Sequence, residues 1–478
     1  MTPVEPGRPT APVPFIEQAL APFIRFSQVE ASGGIVLIAC TLAALLWANS
    51  PYAPAYFALW ETPVTVGFGG MALSKALLHW INDGLMAIFF FMVGLEIKRE
   101  VLVGELNSLR QAALPVAAAI GGMAVPAALY ATLNAGEPSL SGWGIPMATD
   151  IAFALGILSL LGNRVPASLK VFLAAVAIVD DIGAVLVIAI FYSGDLSLFA
   201  LALGGAMFVA MLAANVAGAR HPAIYLVLGT VLWLAFLKSG VHATIAGVVA
   251  AMAIPARTRI DGVTFAAKAR RLLGCFERAG GDGGPLLANK AQLAALDAIE
   301  EACRKAGAPL PRIEHALHPV VAYGIMPVFA LANAGVVLSG AAVRSLGEPV
   351  SLGIVLGLVL GKQLGIFAAC LGMFKLGLTS LPAGTRLGHY YGVSCLAGIG
   401  FTMSIFIAGL AFGDLEALDA TAKLAVLAAS TLSGLLGYLV LRSRGGISDE
   451  ACAAEATEPE ATEPEAACPG LAAPCRNA

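Results

Sequence analysis

The stretch LKVFLAAVAIVDDIGAVLVIAIFY, residues 169–192, determines how the rest of the chain is interpreted. Between Val171 and Phe191 its only charged side chains are those of Asp180 and Asp181. About twenty consecutive apolar residues are enough for a helix to cross a bilayer. A carboxylate at mid-span costs roughly 2.5–3.5 kcal/mol on insertion scales, so two in a row favour an ion or proton site. The alternative is a structural pair held by hydrogen bonds between helices.

Composition extends this interpretation to most of the chain. Of the 478 residues, 58% are hydrophobic and only 12% are charged, which lies outside the range of soluble domains. The eight cysteines form no CxxC motif, so we expect neither a disulfide framework nor a metal cluster. The sequence predicts an all-α membrane protein with about twelve transmembrane helices. Their approximate ranges are 31–50, 77–103, 112–133, 143–161, 168–192, 198–217, 222–237, 240–255, 318–338, 350–374, 387–411 and 421–441.

Several segments are predicted to lie outside the membrane. Alternating residues and a GFGG turn predict a short extracytoplasmic β-hairpin near 61–74. A polar loop, 256–313, contains a Gly-rich piece at 279–285 and a helical pattern at 291–307. Residues 1–29 are interpreted as an N-terminal cytoplasmic segment. The tail, 446–478, is acidic and repeats TEPEA, which predicts disorder.

The distribution of Lys and Arg predicts the orientation. With both termini inside, about 23 of the 28 basic residues fall in inner loops and four in outer ones. We therefore expect a multi-pass protein of the plasma membrane with cytoplasmic termini. We expect no nucleic-acid partner.

The chemistry of the acidic pair suggests exchange. Asp180 and Asp181 are neighbours, so on a helix they point about 100° apart. Two close carboxylates cannot both ionise cheaply unless a cation is present. Such a site holds either protons or one small cation, and this competition is what an exchanger needs.

Asp150 lies in a second unusual span, WGIPMATDIAFALG (143–156). Gly144 and Pro146 precede it, and such residues interrupt a helix and free carbonyl groups. Thr149 and Asp150 are then candidates to cap the second half-helix and to offer oxygen ligands. The alternative is a Pro-kinked helix in which Asp150 is a structural cap.

Lys362 is an isolated ammonium in SLGIVLGLVLGKQLGIFAACLG (351–372), and at that depth it needs a partner. The candidates are Asp180, Asp181 and Asp150. Lys362 is interpreted as a proton carrier or as one side of a permanent salt bridge.

The two halves of the chain resemble each other weakly. DDIG (180–183) and KQLG (362–365) place Asp180 and Lys362 at the same offset before a glycine. TDIAFALG (149–156) is similar to TMSIFIAG (402–409), which follows the break AGIG (397–400). Interrupted spans at matching positions are typical of transporters with inverted repeats.

Further titratable groups lie at the ends of spans. Glu96, Lys98, Arg99 and Glu100 end the second span, and Glu314, His315 and His318 begin the ninth. Histidine titrates near physiological pH, so these groups are candidates for a pH sensor or an entry funnel. Ordinary interfacial charge is the alternative. The role of His242, near the outer face, is left open.

Several long motifs together resemble the NhaA family of bacterial sodium/proton antiporters over about residues 30–445. They are WINDGLMAIFFFMVGLEIKRE (80–100), MATDIAFALGILSLLGNRVP (147–166), AIVDDIGA (177–184), LKSGVHATIAGV (237–248), EHALHPVVAYGIMPVFALANAGV (314–336) and GIGFTMSIFIAGLAFG (398–413).

This resemblance implies electrogenic exchange of internal Na⁺ or Li⁺ for external H⁺ across the inner membrane, without a cofactor. It implies two crossed, interrupted helices, here spans 4 and 11. It suggests that Asp180 and Asp181 bind the cation and protons, with Asp150 and Thr149 at the break and Lys362 as the basic partner.

The resemblance also links Glu96, Glu100 and Glu314 to pH response, and the hairpin near 61–74 to a homodimer contact. The loop 256–313 departs from the family, which usually has a short loop there. A passive cation channel and a sodium-coupled symporter of organic anions are the alternatives. The first needs an open, acidic filter, and the second needs fixed positive groups in its cavity.

Overall fold

The computed structural model describes residues 32–68, 71–280, 286–382, 384–413 and 415–444. The segment 1–29, the tail 446–478 and most of the Gly-rich piece 279–285 lie outside the described residues.

Nearly all the regular structure is helical. The α-helices of four or more residues are Ser32–Ala48, Ala53–Glu61, Met86–Val103, Leu109–Leu133, Ile151–Leu160, Ala167–Phe191, Leu198–Val216, Pro222–Leu237, Ile245–Ala253, Gly262–Ala279, Lys290–Ala306, Pro309–Val320, Met326–Asn333, Gly340–Ser345, Pro349–Leu356, Lys362–Lys375, Leu387–Ala397, Phe401–Phe412 and Glu416–Arg444. A 3₁₀-helix covers Pro138–Met147, and π-helical segments cover Trp80–Leu85, Val321–Ile325 and Gly357–Gly361.

Many of these helices are long and apolar enough to cross a bilayer. Among the described residues there are six such helices, or up to nine spans if each bent pair of helices is one span. The prediction of a mostly helical, multi-span protein is therefore confirmed, while the number of twelve stays a prediction.

The predicted β-hairpin is present. Strand β1 covers Pro63–Phe68 and strand β2 covers Met71–Ala76, and they pair antiparallel with Val66 opposite Leu73. The Trp80 indole donates a hydrogen bond of 3.0 Å to the Val64 carbonyl, which ties the hairpin to the following helix.

The polar loop is built from two helices, Gly262–Ala279 and Lys290–Ala306, here called the loop hairpin. The second was predicted at 291–307, and the first was missed. Its start has a sequence signal, since the Asp261 carboxylate accepts from the Thr264 amide at 3.0 Å as an N-cap.

The helix Ala167–Phe191, here called the aspartate helix, carries Asp180 and Asp181. The segment Pro349–Lys375, here called the lysine helix, contains the π-turn Gly357–Gly361 immediately before Lys362. Both pack against Leu109–Leu133. A π-turn inside an α-helix is frequent at functional sites because it redirects the following side chain.

At Gly365 the backbone of the lysine helix lies close to the backbone of its neighbour, Leu109–Leu133. A Cβ atom added at Gly365 would lie 2.1 Å from the carbonyl oxygen of Gly121. Gly357, Gly361 and Gly365 are spaced four apart, as in close helix crossings within membranes.

Gly365→Ala should therefore lower stability, although alanine favours a helix more than glycine does. The helices must separate to accept the methyl group, and overpacking of this kind costs about 1–3 kcal/mol. The check is the thermal unfolding temperature of the purified protein in detergent. Gly372→Ala on the same helix is the control, because a Cβ there meets nothing within 4 Å. Equal unfolding temperatures for the two variants would contradict the crossing.

Candidate functional site

Two spans are interrupted, and their breaks lie next to each other. The first broken span consists of Pro138–Met147 and Ile151–Leu160, bent by 42°. The second consists of Leu387–Ala397 and Phe401–Phe412, also bent by 42°. The interruptions, at 148–150 and 398–400, fall where the sequence predicted them from nearby Gly and Pro residues.

The two breaks satisfy each other's backbone groups. The Asp150 amide donates to the Ile399 carbonyl at 2.7 Å, and the Ser404 hydroxyl donates to the Ile145 carbonyl at 2.7 Å. Polar backbone that is freed inside a membrane protein needs such partners. The breaks therefore form one polar unit within an apolar bundle.

Asp150 caps a helix in each broken span. One carboxylate oxygen accepts from the Phe153 amide at 3.0 Å. The other accepts from the Thr402 amide at 3.2 Å and from the Thr402 hydroxyl. A carboxylate at two helix N-termini satisfies orphan amides and is favoured by both helix dipoles.

Sequence reasoning did not select Thr402 as a site residue, although a signal for it existed. In the similarity between TDIAFALG and TMSIFIAG, Thr402 stands at the position of Thr149.

Asp180 is the partner of Lys362. The Lys362 Nζ lies 2.9 Å from Asp180 Oδ2, and both side chains are fully buried. Lys362 also donates to the Met147 carbonyl at the end of the first half of the first broken span. The sequence left three aspartates open as partners, and the structure selects one of them.

The Thr149 hydroxyl joins this ion pair to the breaks. Its oxygen lies 2.8 Å from Asp180 Oδ2 and 2.9 Å from the Ala397 carbonyl oxygen. A hydroxyl has one proton to donate, so it donates to one of these two oxygens at a time. Thr149 is therefore placed to accept a hydrogen bond from protonated Asp180 in one state and to donate one to ionised Asp180 in the other.

Asp181 is equally buried but is differently placed. Within the described ranges, its Oδ1 and that of Asp180 have no hydrogen-bond partner. Asp180, Glu96 and Asp150 act on Asp181 as like charges, and Lys362 acts as an opposite charge. Buried carboxylate oxygens without partners are costly, so this arrangement needs a proton or a cation.

The donor set suits a small hard cation. Carboxylate, hydroxyl and carbonyl oxygens meet here, and oxygen is the ligand type that hard cations prefer. Three carboxylates face one ammonium, so the fully ionised site has excess negative charge. Protons or a bound cation can neutralise that excess.

A second charged cluster lies at the end of Met86–Val103. Arg99 pairs with Glu100 at 2.9 Å and with Glu314 at 3.0 Å. Glu96 lies within electrostatic range of the same three side chains and also acts on Asp181. Lys98 donates to the Met252 and Ile254 carbonyls at 2.6 Å, which caps the end of Ile245–Ala253.

Within the described ranges, no contact joins the three candidate histidines to this cluster. His315 and His318 are exposed. His242 lies 3.0 Å from the Thr244 hydroxyl and packs edge-on against Phe406. The charges acting on it come from Asp83 and Lys75, which pair with each other at 3.2 Å.

Two interrupted membrane helices that meet beside buried carboxylates and a lysine define a secondary transporter of a small cation. The chain belongs to the family described as Na⁺/H⁺ antiporter 1, whose sequence model matches residues 24–441.

Relatives of similar length support this membership. The chain is 60% identical to the Na⁺/H⁺ antiporter NhaA of Oleidesulfovibrio alaskensis, over 90% of this chain and 96% of that protein. It is 51% identical to the Na⁺/H⁺ antiporter NhaA 2 of Sorangium cellulosum, over 91% and 94%. It is 47% identical to the NhaA of Rhodospirillum rubrum, over 89% and 97%. The resemblance to the NhaA family inferred from the motifs is confirmed.

Proposed function

We propose that this Na⁺/H⁺ antiporter carries out exchange at Asp180 and Asp181, which hold either protons or one Na⁺. The observation that supports these residues most directly is the buried Lys362–Asp180 ion pair, next to Asp181 and in contact with both helix breaks. In this proposal Asp150 and Thr149 hold the breaks in place, and Lys362 is the basic partner of the site.

Competition for the same oxygens couples the two ions. Protons from outside neutralise the carboxylates, the site changes the side it faces, and internal Na⁺ then displaces the protons. Protons and Na⁺ cannot occupy the carboxylates at the same time, so each crossing of the site carries only one of the two ions. The exchange is electrogenic if more than one proton moves per Na⁺.

Thr149 gives Asp180 a way to change protonation without losing a partner. When Asp180 is protonated, it donates to the Thr149 oxygen, and Thr149 donates to the Ala397 carbonyl. When Asp180 is ionised, the hydroxyl rotates and donates to the carboxylate. Asp180 therefore keeps Thr149 as a hydrogen-bond partner in both protonation states, while the Ala397 carbonyl gives up its Thr149 donor when Asp180 is ionised.

The finer architecture is also proposed. Residues 30–445 would form one antiporter domain of about twelve helices, with 256–313 as an inserted cytoplasmic loop between segment 1–29 and tail 446–478. The hydrogen bonds between the breaks support two interrupted helices, spans 4 and 11, that cross there. The bias of Lys and Arg supports an inner-membrane location with both termini cytoplasmic.

Two further features are proposed on the same basis. Li⁺ is a second substrate, since a site of hard oxygen ligands does not exclude a smaller alkali ion. A homodimer forms through the hairpin near 61–74, whose Val66 side chain is 58% exposed. An exposed apolar position on a two-stranded sheet favours pairing with another chain.

Regulation by pH is proposed for the charged cluster. Arg99 bridges Glu100 and Glu314, and Glu96 lies in the field of both that cluster and Asp181. Protonation of these acids would loosen the bridges and change the charge near the ion site. Three histidines belong to this proposal as further titratable groups. His315 and His318 are exposed, and His242 packs against Phe406 near Asp83 and Lys75.

Addition of NaCl to everted membrane vesicles that carry the protein should dissipate a preformed pH gradient. The measurement is recovery of the fluorescence of a pH-sensitive dye, with vesicles lacking the protein as the control. Sodium current without proton movement would instead indicate a channel. Sodium-dependent uptake of a labelled organic anion without proton movement would indicate a symporter.

A further inference from the structure

The helix Glu416–Arg444, here called the last helix, packs a face of small residues against the second broken span. Four of its buried residues lie on this one side, at the i, i+3, i+4 and i+7 spacing of a helix: Ser430, Ser433, Gly434 and Gly437. A Cβ atom added at Gly437 would lie 3.0 Å from the Leu396 amide nitrogen. The last helix therefore lies against the backbone of the second broken span, next to its break at 398–400.

Ser430 caps the second half of this span. Its side chain is buried, and its hydroxyl oxygen accepts a hydrogen bond from the Phe401 amide at 3.0 Å. The next amide, that of Thr402, donates to the Asp150 carboxylate at 3.2 Å. The residue before this half-helix is Gly400, which has no side chain to serve as a cap. The first two amides of the half-helix therefore depend on side chains from two other spans.

Ser433 lies on the same face and is buried without a partner. Its side chain is fully buried, and its hydroxyl has no hydrogen-bond partner among the residues that the structure describes. It is directed at the break, because its Oγ would lie 2.8 Å from a Cβ atom added at Gly398. A buried hydroxyl without a hydrogen bond is costly, and movement of the break can supply the missing partner.

The two serines are spaced for a movement of about one helical turn. Ser430 and Ser433 are three positions apart, which is about 4.5 Å along the axis of a helix. Displacement of one element past another by about a turn is a known way of switching between two states. Glycine keeps the two surfaces smooth here, with Gly398 on the span and Gly434 and Gly437 on the last helix.

We propose that Ser430 and Ser433 are alternative hydrogen-bond partners of the second break, one for each side that the ion site faces. Ser430 accepts from the Phe401 amide in this structure, and Ser433 accepts from the same amide when the half-helix has moved by a turn. Both serines are positioning residues, because they act on the break and not on the transported ions. The inference rests on the proposed alternation of the site.

Ser433→Ala should slow exchange without destabilising the protein. The change removes a hydroxyl that has no partner in this structure, so the unfolding temperature in detergent should stay the same or rise. It also removes the partner of the other conformation, so the maximal rate of sodium-dependent proton movement in everted vesicles should fall about three- to tenfold. The Na⁺ concentration for half-maximal rate should not rise, since the ion site of this conformation is intact.

The matched control is Ser443→Ala, which removes an exposed hydroxyl at the end of the same helix and should change neither quantity. Ser430→Ala removes an engaged partner, so it should instead lower the unfolding temperature. If the unfolding temperature of Ser433→Ala falls together with its rate, Ser433 is a structural residue and the proposal is overturned.

The unmodified protein is measured in the same vesicles, with rates normalised to the amount of protein in the membrane. A failure of the proposed exchange itself abolishes proton movement in every sample. A failure of this inference alone leaves Ser433→Ala exchanging at the maximal rate of the unmodified protein.

Discussion

Asp181→Asn should reduce sodium-dependent proton movement in everted vesicles at least about 100-fold. The amide keeps the size of the side chain but neither carries charge nor takes up a proton at neutral pH. Loss of one charge-assisted contact to a desolvated cation is worth about 3 kcal/mol, which corresponds to about 100-fold in binding. The initial rate of dye recovery after addition of NaCl measures the effect.

The matched control for this change is Asp195→Asn. Asp195 is exposed and lies just beyond the aspartate helix, so the same chemical change there removes no buried charge. It should exchange Na⁺ for protons at the unmodified rate. Asp181→Asn should not unfold the protein, because it replaces a buried carboxylate, whose Oδ1 has no hydrogen-bond partner in the described ranges, by a neutral amide.

The unfolding temperature therefore separates a lost site from a lost fold. If Asp181→Asn retains both the unmodified unfolding temperature and the unmodified exchange rate, the assignment of Asp181 to the ion site is wrong. If the unfolding temperature and the exchange rate fall together, the variant has misfolded. The exchange rate of Asp181→Glu, which retains the charge, then decides between an ion-binding role and a structural role for Asp181.

Much of this fold follows from local sequence. Alternation and a Gly-rich turn predicted the hairpin of β1 and β2, and apolar run lengths predicted the membrane helices. Glycine and proline predicted the two broken spans, because proline removes a helical hydrogen bond and glycine lowers helix propensity. Such signals depend only on neighbouring residues, so a single sequence contains them.

The long-range contacts of the site could not be predicted from local sequence. Three aspartates were equally plausible partners of Lys362, because helix packing, not sequence spacing, selects Asp180. The second role of Asp150, as a cap for the helix at Thr402, joins residues 252 positions apart. The helix Gly262–Ala279 was missed because its many basic residues were interpreted as part of a polar loop. The helical spacing of its apolar residues was not used.

The weak internal similarity nevertheless contained long-range information. It placed Asp180 opposite Lys362 and Thr149 opposite Thr402, and the structure brings these residues to one site. Corresponding positions of two repeats meet where the repeats face each other. A similarity too weak to prove duplication thus matched pairs of residues that meet at the site, although it was not used to select Asp180 or Thr402.

Lys362→Met should destabilise the protein by about 3–5 kcal/mol, because it leaves the Asp180 carboxylate buried without its cation. The change is measured as the fall in unfolding temperature of the purified protein in detergent. Lys375→Met, at the end of the same helix, is the control. Lys375 is exposed, so its replacement should cost less than about 0.5 kcal/mol.

The double variant Asp180→Asn with Lys362→Met should recover most of the lost stability, since replacing a buried ion pair by neutral groups is often close to neutral. The two single losses would then be far from additive, as expected for side chains in contact. Exchange should not recover with stability, because the doubly neutral site lacks one proton-binding carboxylate and its basic partner. Additive losses would show that the pair is not energetically coupled, whereas full recovery of exchange would show that the ion pair is structural and that the transported ions are held elsewhere.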